Sequence, residues 1–282
     1  MKRKKLSLEE VKNIEVEILD MFDMFCKEHN LRYSLYAGTL IGAIRHKDFI
    51  PWDDDIDVCM PRDDYKKLLS IFNLEKRESE FELISGDLDA KYPFPFAKIR
   101  KTDTYIERGI DKFVNSGDEH IWIDIFPLDN LPESEEKAAK MYNDIVQLRK
   151  FLVLSMAKPF VSTSILRGII KAPAVFLCKF IGHKRIIKKI IAIATSYGNK
   201  NTKYMGHLVW QPKFPGTMFL KDEFNNMIQV DFRGKKYPCM GNYHYYLSGQ
   251  YGDYMIPPPE KDRITHDIDA YLLISNNCSD MK

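Results

Sequence analysis

The chain has 282 residues, 45% hydrophobic, 12% aromatic and 29% charged, a make-up that buries a sizeable core and excludes wholesale disorder. Its net charge of +2 conceals an asymmetry: residues 145–221 hold 14 Lys and Arg but no Asp or Glu, leaving about −12 on the remainder, so part of the surface is expected to face something anionic. Five scattered cysteines (Cys26, Cys59, Cys178, Cys239, Cys278) form no CxxC pair or Cys/His cluster, which argues against zinc and for free thiols in a reducing cytoplasm.

The basic start Met1-Lys-Arg-Lys-Lys is followed by Leu6-Ser-Leu-Glu-Glu, with no apolar run, so a secretion signal is not expected. Residues 7–29 read as an amphipathic helix: Ser7 and Glu10 make a capping box, and Leu8, Val11, Ile14, Ile18, Met21, Phe22 and Phe25 fall on one stripe. A strand is expected at about 32–37, then the turn Gly38-Thr39 and a short helix. A second strand, Asp55 to Met60, ends at Pro61, and a helix follows at about 63–72. Strands near 94–100, 104–108 and 120–126 complete the front half, and Glu133 opens a helix to about 154. This is an α/β (α+β) pattern, a mixed sheet flanked by helices. Residues 160–195 mix Ile, Leu, Val and Ala with Lys and Arg around Gly168, Pro173 and Gly182, and read as two short basic amphipathic helices. No stretch of 18 uncharged apolar residues occurs, so no membrane span is expected. After Lys200 the chain is rich in Tyr, Pro, Gly and Asn, and reads as loop-rich.

The main chemical signal is Trp52-Asp-Asp-Asp-Ile-Asp-Val. Alternation along a strand turns Asp55 and Asp57 to one face, about 7 Å apart at the backbone, while Ile56 and Val58 anchor the other. Two carboxylates so placed repel unless a cation sits between them, and an all-oxygen donor set selects magnesium or manganese. In Trp122-Ile-Asp-Ile-Phe, Asp124 is a lone acid in an apolar strand that needs a partner, and the same cation supplies one. A solvated turn for the acidic run, or a structural ion pair for Asp124, are the bland alternatives. A calcium loop from Asp53 fails for want of Gly at 58 and Glu at 64.

The second signal is Tyr36-Ala-Gly-Thr-Leu-Ile-Gly-Ala-Ile-Arg-His. Gly38 admits close backbone approach, Thr39 offers a hydroxyl, and a helix N-terminus follows, which are the parts of a phosphate cradle. Arg45 is a candidate phosphate clamp and His46 a weaker contact. Lys98 and Arg100 share a strand face, either as a further phosphate contact or as a solvated charged face.

These residues resemble the LicD family, which includes bacterial phosphocholine transferases and, more distantly, fukutin-related proteins. The resemblance runs through the Tyr36–His46 and Phe49–Val58 segments, Met60-Pro-Arg-Asp-Asp-Tyr, Trp122-Ile-Asp-Ile-Phe-Pro-Leu-Asp and Tyr251-Gly-Asp-Tyr-Met, with Pro257, Pro258, Pro259, Arg263 and His266 beyond. It is weakest over 133–200. It implies a nucleotidyltransferase-like fold and magnesium-dependent transfer of phosphocholine, or a similar phospho-group, from a CDP-linked donor such as CDP-choline to a sugar or polyol hydroxyl of a cell-surface glycan or its lipid-linked precursor. Asp55, Asp57 and Asp124 then take the catalytic and metal-ligand roles. Gly38, Thr39, Arg45, His46, Trp52, Lys98, Arg100, Arg263 and His266 line the substrate site. Gly38-Thr39 stands where the wider superfamily has Gly-Ser or Gly-Gly, a departure shared with LicD-like proteins.

On this reading the chain divides into a catalytic core at 1–132, a basic helical segment at 133–200, and a C-terminal part at 201–282 that packs on the core and completes the substrate site. A choline-bearing donor calls for an aromatic cage, with Trp52, Tyr92, Trp210, Tyr243 and Tyr245 as candidates. The acid-free stretch suits peripheral contact with an anionic membrane at its cytoplasmic face or, equally, a helical cap on the core; nucleic acid is not expected. Two rivals stay open: a DxD-type glycosyltransferase using a nucleotide-sugar, and a non-catalytic binding protein on the same fold.

Overall fold

The structure, a computed structural model, describes residues 2–89, 91–114, 119–211, 213, 214, 218–263 and 268–274. In chain order the elements are β1 (Lys2–Lys5), α1 (Leu8–Glu28), β2 (Ser34–Leu35), α2 (Ala37–Arg45), β3 (Asp57–Pro61), α3 (Arg62–Glu75), β4 (Phe81–Ser85), β5 (Ala97–Lys101), β6 (Thr104–Arg108) and β7 (Ile121–Leu131). There follow α4 (Glu135–Met156), α5 (Ile165–Ile181), α6 (His183–Ala194), β8 (Tyr204–Gly206), β9 (Met218–Leu220), α7 (Lys221–Asn225), β10 (Ile228–Phe232), β11 (Lys235–Cys239), α8 (Tyr243–Tyr251) and β12 (Ile268–Ile274).

The central sheet runs β2-β3-β7-β5-β4, with β8 and then β9 added along the far end of β7. Only β3 and β7 are parallel within it; the other pairs are antiparallel. α1 packs on this sheet. Its capping box forms as the sequence predicts, Glu10 N–H donating to Ser7 Oγ and Ser7 N–H to the Glu10 carboxylate. Ile18, Leu19, Phe22 and Phe25 are buried, whereas Leu8 is exposed. β10 and β11 form a hairpin whose turn residues Arg233 and Gly234 both take left-handed backbone (φ 48° and 76°), the geometry a two-residue turn needs to follow strand twist. β1, β12 and β6 make a separate antiparallel sheet.

Among the boundaries that differ from the sequence reading, two bear on the site and have physical reasons. β3 starts at Asp57 rather than Asp55, because regular pairing with β7 begins only where Asp57 meets Asp124. β7 does not stop at Pro127 but runs to Leu131: proline forfeits one amide donor yet keeps an extended φ, and Asp129–Leu131 then pair with β8.

The extension of β7 carries a buried ion pair absent from the sequence reading. Arg62, the first residue of α3, clamps Asp129 through both nitrogens, Nε–Oδ1 2.7 Å and Nη2–Oδ2 2.6 Å, and the two residues are 8% and 1% exposed. Close by, His207 is buried against Phe126 and Tyr36, and its Nε2 accepts the Trp210 N–H at 3.1 Å, which fixes a neutral ring. Burial first, then the charges of Arg149 and Arg62, push its pKa down to about 3.

Both features of this corner bear on stability. Breaking the pair with Asp129→Asn strands a buried guanidinium and lowers unfolding free energy by about 3–5 kcal/mol in urea titrations, whereas Arg62→Met with Asp129→Leu recovers much of the loss. Because the folded His207 binds its proton more weakly than the unfolded chain, its contribution is complete above pH 6.5 and is lost as pH falls toward 3. Urea titrations should therefore show an acid-side loss of a few kcal/mol that His207→Gln removes, since each tenfold weakening of proton affinity is worth about 1.4 kcal/mol.

Candidate active site

Three backbone contacts bring the acidic residues together. Tyr36, extended at φ −139°, donates its N–H to Asp57 O at 3.0 Å. The Asp57 N–H in turn donates to Thr39 Oγ1 at 2.8 Å, so this hydroxyl pins the start of β3. On the other side the Asp124 N–H donates to Ile56 O at 2.8 Å, and the parallel register sets Asp57 opposite Asp124. The turn into α2 is sharp: Ala37, next to Gly38, holds a left-handed φ of 44°, a conformation a non-glycine residue keeps only when its surroundings impose it.

One oxygen each from Asp55, Asp57 and Asp124 lies within 4.8 Å of the others, and Asp53, Asp54 and Asp55 form a second such group that shares Asp55. The donors are all hard carboxylate oxygens, which fits magnesium or manganese and not zinc. Burial first, then Asp55, Asp124 and Asp53, hold the Asp57 carboxyl well above the usual carboxylate range, while Lys98 pulls it back down. Lys98 is the cross-strand neighbour of Asp124 on β5, with Nζ 3.4 Å from Asp124 Oδ1 and 3.6 Å from the centre of the Trp122 ring.

Three residues at the site were not singled out from sequence. Asp53 lies against Gly38: a Cβ there would meet Asp53 Oδ2 at 2.5 Å, so glycine is what lets this carboxylate approach the N-terminus of α2, where the helix dipole favours it. Glu15 on α1 is buried, and burial together with Asp55, Asp54 and Asp53 raises its carboxyl well above the usual range. An acid on the apolar stripe of α1, between Val11 and Ile18, was the visible signal for it. Tyr251 stands near the same carboxylates; local burial and then Asp57 push its phenol up.

The remaining candidates are spread more widely. Arg45, six residues beyond Thr39, donates to Tyr254 O at 2.6 Å and to His46 Nε2 at 2.9 Å, tying α2 to the C-terminal part. Arg100 is held by Glu82 through Nε (3.0 Å) and Nη2 (2.8 Å). Arg263 lies over the half-buried Trp52, 4.3 Å from the ring centre. His266 lies outside the described residues. Tyr92 and Trp210 pack into an aromatic cluster with Phe94 and Phe96. Tyr243 is partly buried against the core, and Tyr245 lines a cleft of about 740 Å³ with Glu133, Glu135 and Tyr204, away from the aspartates.

A mixed sheet that converges aspartates from two neighbouring parallel strands beside a glycine turn defines a transferase of the nucleotidyltransferase fold. The LicD/FKTN/FKRP nucleotidyltransferase domain matches residues 30–173. Over 279 residues the chain is 32% identical to the lipopolysaccharide cholinephosphotransferase LicD of Haemophilus influenzae, covering 96% of this chain and all of that protein. It therefore belongs to the LicD family and is an enzyme of that phosphotransferase type. An uncharacterised protein of Rickettsia typhi is 28% identical over 149 residues, covering 50% of this chain and 42% of that protein. One of Rickettsia prowazekii is 34% identical over 68 residues, covering 21% of this chain and 26% of that protein.

If the converging carboxylates hold a hard cation, magnesium raises the melting temperature of the wild-type protein. Asp57→Asn removes that response yet leaves the metal-free protein at least as stable, since it relieves like-charge repulsion in a buried place. Thermal unfolding with and without magnesium reads both effects.

Proposed function

We propose that the enzyme transfers phosphocholine, or a similar phospho-group, from a CDP-linked donor to a hydroxyl of a cell-surface glycan or its lipid-linked precursor. One observation carries this reading: Asp55, Asp57 and Asp124 converge within 4.8 Å. The Haemophilus relative, named for cholinephosphate transfer to lipopolysaccharide, supports the choice of group and acceptor class. A CDP-linked donor also puts the reaction in the cytoplasm.

Asp55, Asp57 and Asp124 would hold magnesium, with manganese an alternative, and Asp53 stands ready to share a second ion with Asp55. When bound, the metal neutralises the donor diphosphate and lowers the barrier by several kcal/mol. The acceptor oxygen bonds to the phosphorus that bears choline as the bond from that phosphorus to the bridging oxygen breaks, and CMP leaves with the electron pair. The hydroxyl proton passes to a carboxylate or to solvent; Asp124, positioned by Lys98 from β5, would either take it or serve as a metal ligand alone. Thr39 keeps Asp57 in register through its backbone amide.

The test is CMP release from CDP-choline by purified protein with lipopolysaccharide as acceptor. Asp55→Asn, Asp57→Asn and Asp124→Asn should each slow turnover on the order of a thousandfold, and chelation should abolish it. Wild-type-like rates in Asp55→Asn, or consumption of a UDP- or GDP-sugar in place of CDP-choline, overturn the reading.

A further inference from the structure

Among the described residues, eleven of the 23 exposed large hydrophobic side chains fall between 151 and 181. α5 is the centre of this concentration. It buries only a narrow stripe of small residues: Gly168 against the Phe160 backbone, and Ala172, Val175 and Cys178 on the side that packs with α4. A helix of 3.6 residues per turn then carries Leu166, Ile169, Ile170, Phe176, Leu177 and Phe180 on the opposite side. All six are more than half exposed, Phe180 at 84% and Ile170 at 70%. The outward arc is thus apolar where a helix on a water-facing cap would be charged. Of its cations, Arg167 stands near the edge of this arc, while Lys171 and Lys179 rise from the side of the buried stripe.

The preceding loop extends the face, and α6 adds cations beside it. Phe160 holds a left-handed backbone (φ 64°), unfavourable for a bulky residue, and its ring lies 6.0 Å from that of Phe176. Lys171 Nζ donates to Val161 O, fastening this loop along α5. α6 buries Ile186, Ile187 and Ile190 and turns Lys184, Arg185, Lys188 and Lys189 outward. No helix among the described residues is long and apolar enough to cross a membrane.

We propose that this face is a membrane-docking surface: α5 lies in the interface of an anionic bilayer with its outward apolar arc inserted, while the cations of α6, with Arg167 at the edge of the arc, bind lipid phosphates. Charge decides between this occupant and a second copy of the chain. Residues 145–221 contribute 14 cations and no acid, so two copies facing each other across this surface would bring like charges together, whereas anionic lipid neutralises them. Large apolar patches need cover, and apolar area flanked by Lys and Arg is what an interfacial helix offers a headgroup boundary. The proposal goes beyond the reading of the carboxylate site and does not depend on it, because docking is measured without donor or acceptor.

The experiment is flotation of the full-length protein with phosphatidylcholine vesicles and with vesicles that also contain phosphatidylglycerol. Binding is expected to the second only, and to weaken as salt screens the cations. Lys184→Glu with Lys188→Glu and Lys189→Glu should weaken partition on the order of a hundredfold at low salt or more. Ile170→Glu with Phe180→Glu should abolish it, with the CMP-release rate on a soluble acceptor unchanged. Phe180→Trp, a milder change, reads insertion directly: its fluorescence shifts to the blue and is quenched by brominated lipid. An unchanged Phe180→Trp spectrum with anionic vesicles, or a dimer in sedimentation that Ile170→Glu with Phe180→Glu converts to monomer, overturns the proposal.

Discussion

The parallel pairing of β3 with β7 is the constraint from which the site follows. It sets Asp57 directly opposite Asp124, and the amide of each is already committed, to Thr39 Oγ1 and to Ile56 O. Neither backbone can shift without breaking a hydrogen bond at the centre of the sheet, so the roots of the two carboxylates stay opposite each other. The preceding loop adds Asp55, Asp54 and Asp53, and α1 adds the buried Glu15. Lys98 and Lys12 oppose this concentration of acid but are fewer than the acids they face. The sheet therefore holds like charges together at a cost to its own stability, which is the usual condition of a site built to receive a cation.

The parts legible in the sequence are those fixed by local chemistry. Ser7 and Glu10 announce the start of α1 because a capping box needs only four residues. The alternation of Asp55, Ile56, Asp57 and Val58 identifies the carboxylate face without knowledge of the neighbouring strand. The basic helices were visible as composition, and α5 and α6 form where that composition placed them. Pro173 sits inside α5 rather than ending it.

What was hidden depends on tertiary placement. Gly38 reads as room for a ligand, yet the atom lying against it is Asp53 Oδ2, which is 15 residues away in the chain. Arg100 shares a strand face with Lys98, but Lys98 meets Asp124 on one neighbouring strand while Arg100 is held by Glu82 on the other. Arg62 and Asp129 are ordinary charged residues in sequence; only the continuation of β7 through Pro127 makes them a buried pair. Strand length was the missing variable in each case where a neighbour was misjudged along β7.

The charge distribution links the carboxylate site and the basic helices. Acidic residues gather around β3 and β7, and the stretch from 145 to 221 has none. Such a pattern lets an anionic bilayer attract the acid-free helices while it repels the acidic strands, which is the orientation the proposed docking face requires. The same polarity bears on the order of binding at the site. The proposed diphosphate donor would carry negative charge and be repelled by bare carboxylates, so on that reading affinity for it would rise once cations reversed the local potential. On the proposed function, metal before donor would follow from this charge pattern alone, and the acid-rich strands and the acid-free helices answer the same question of where anions are admitted.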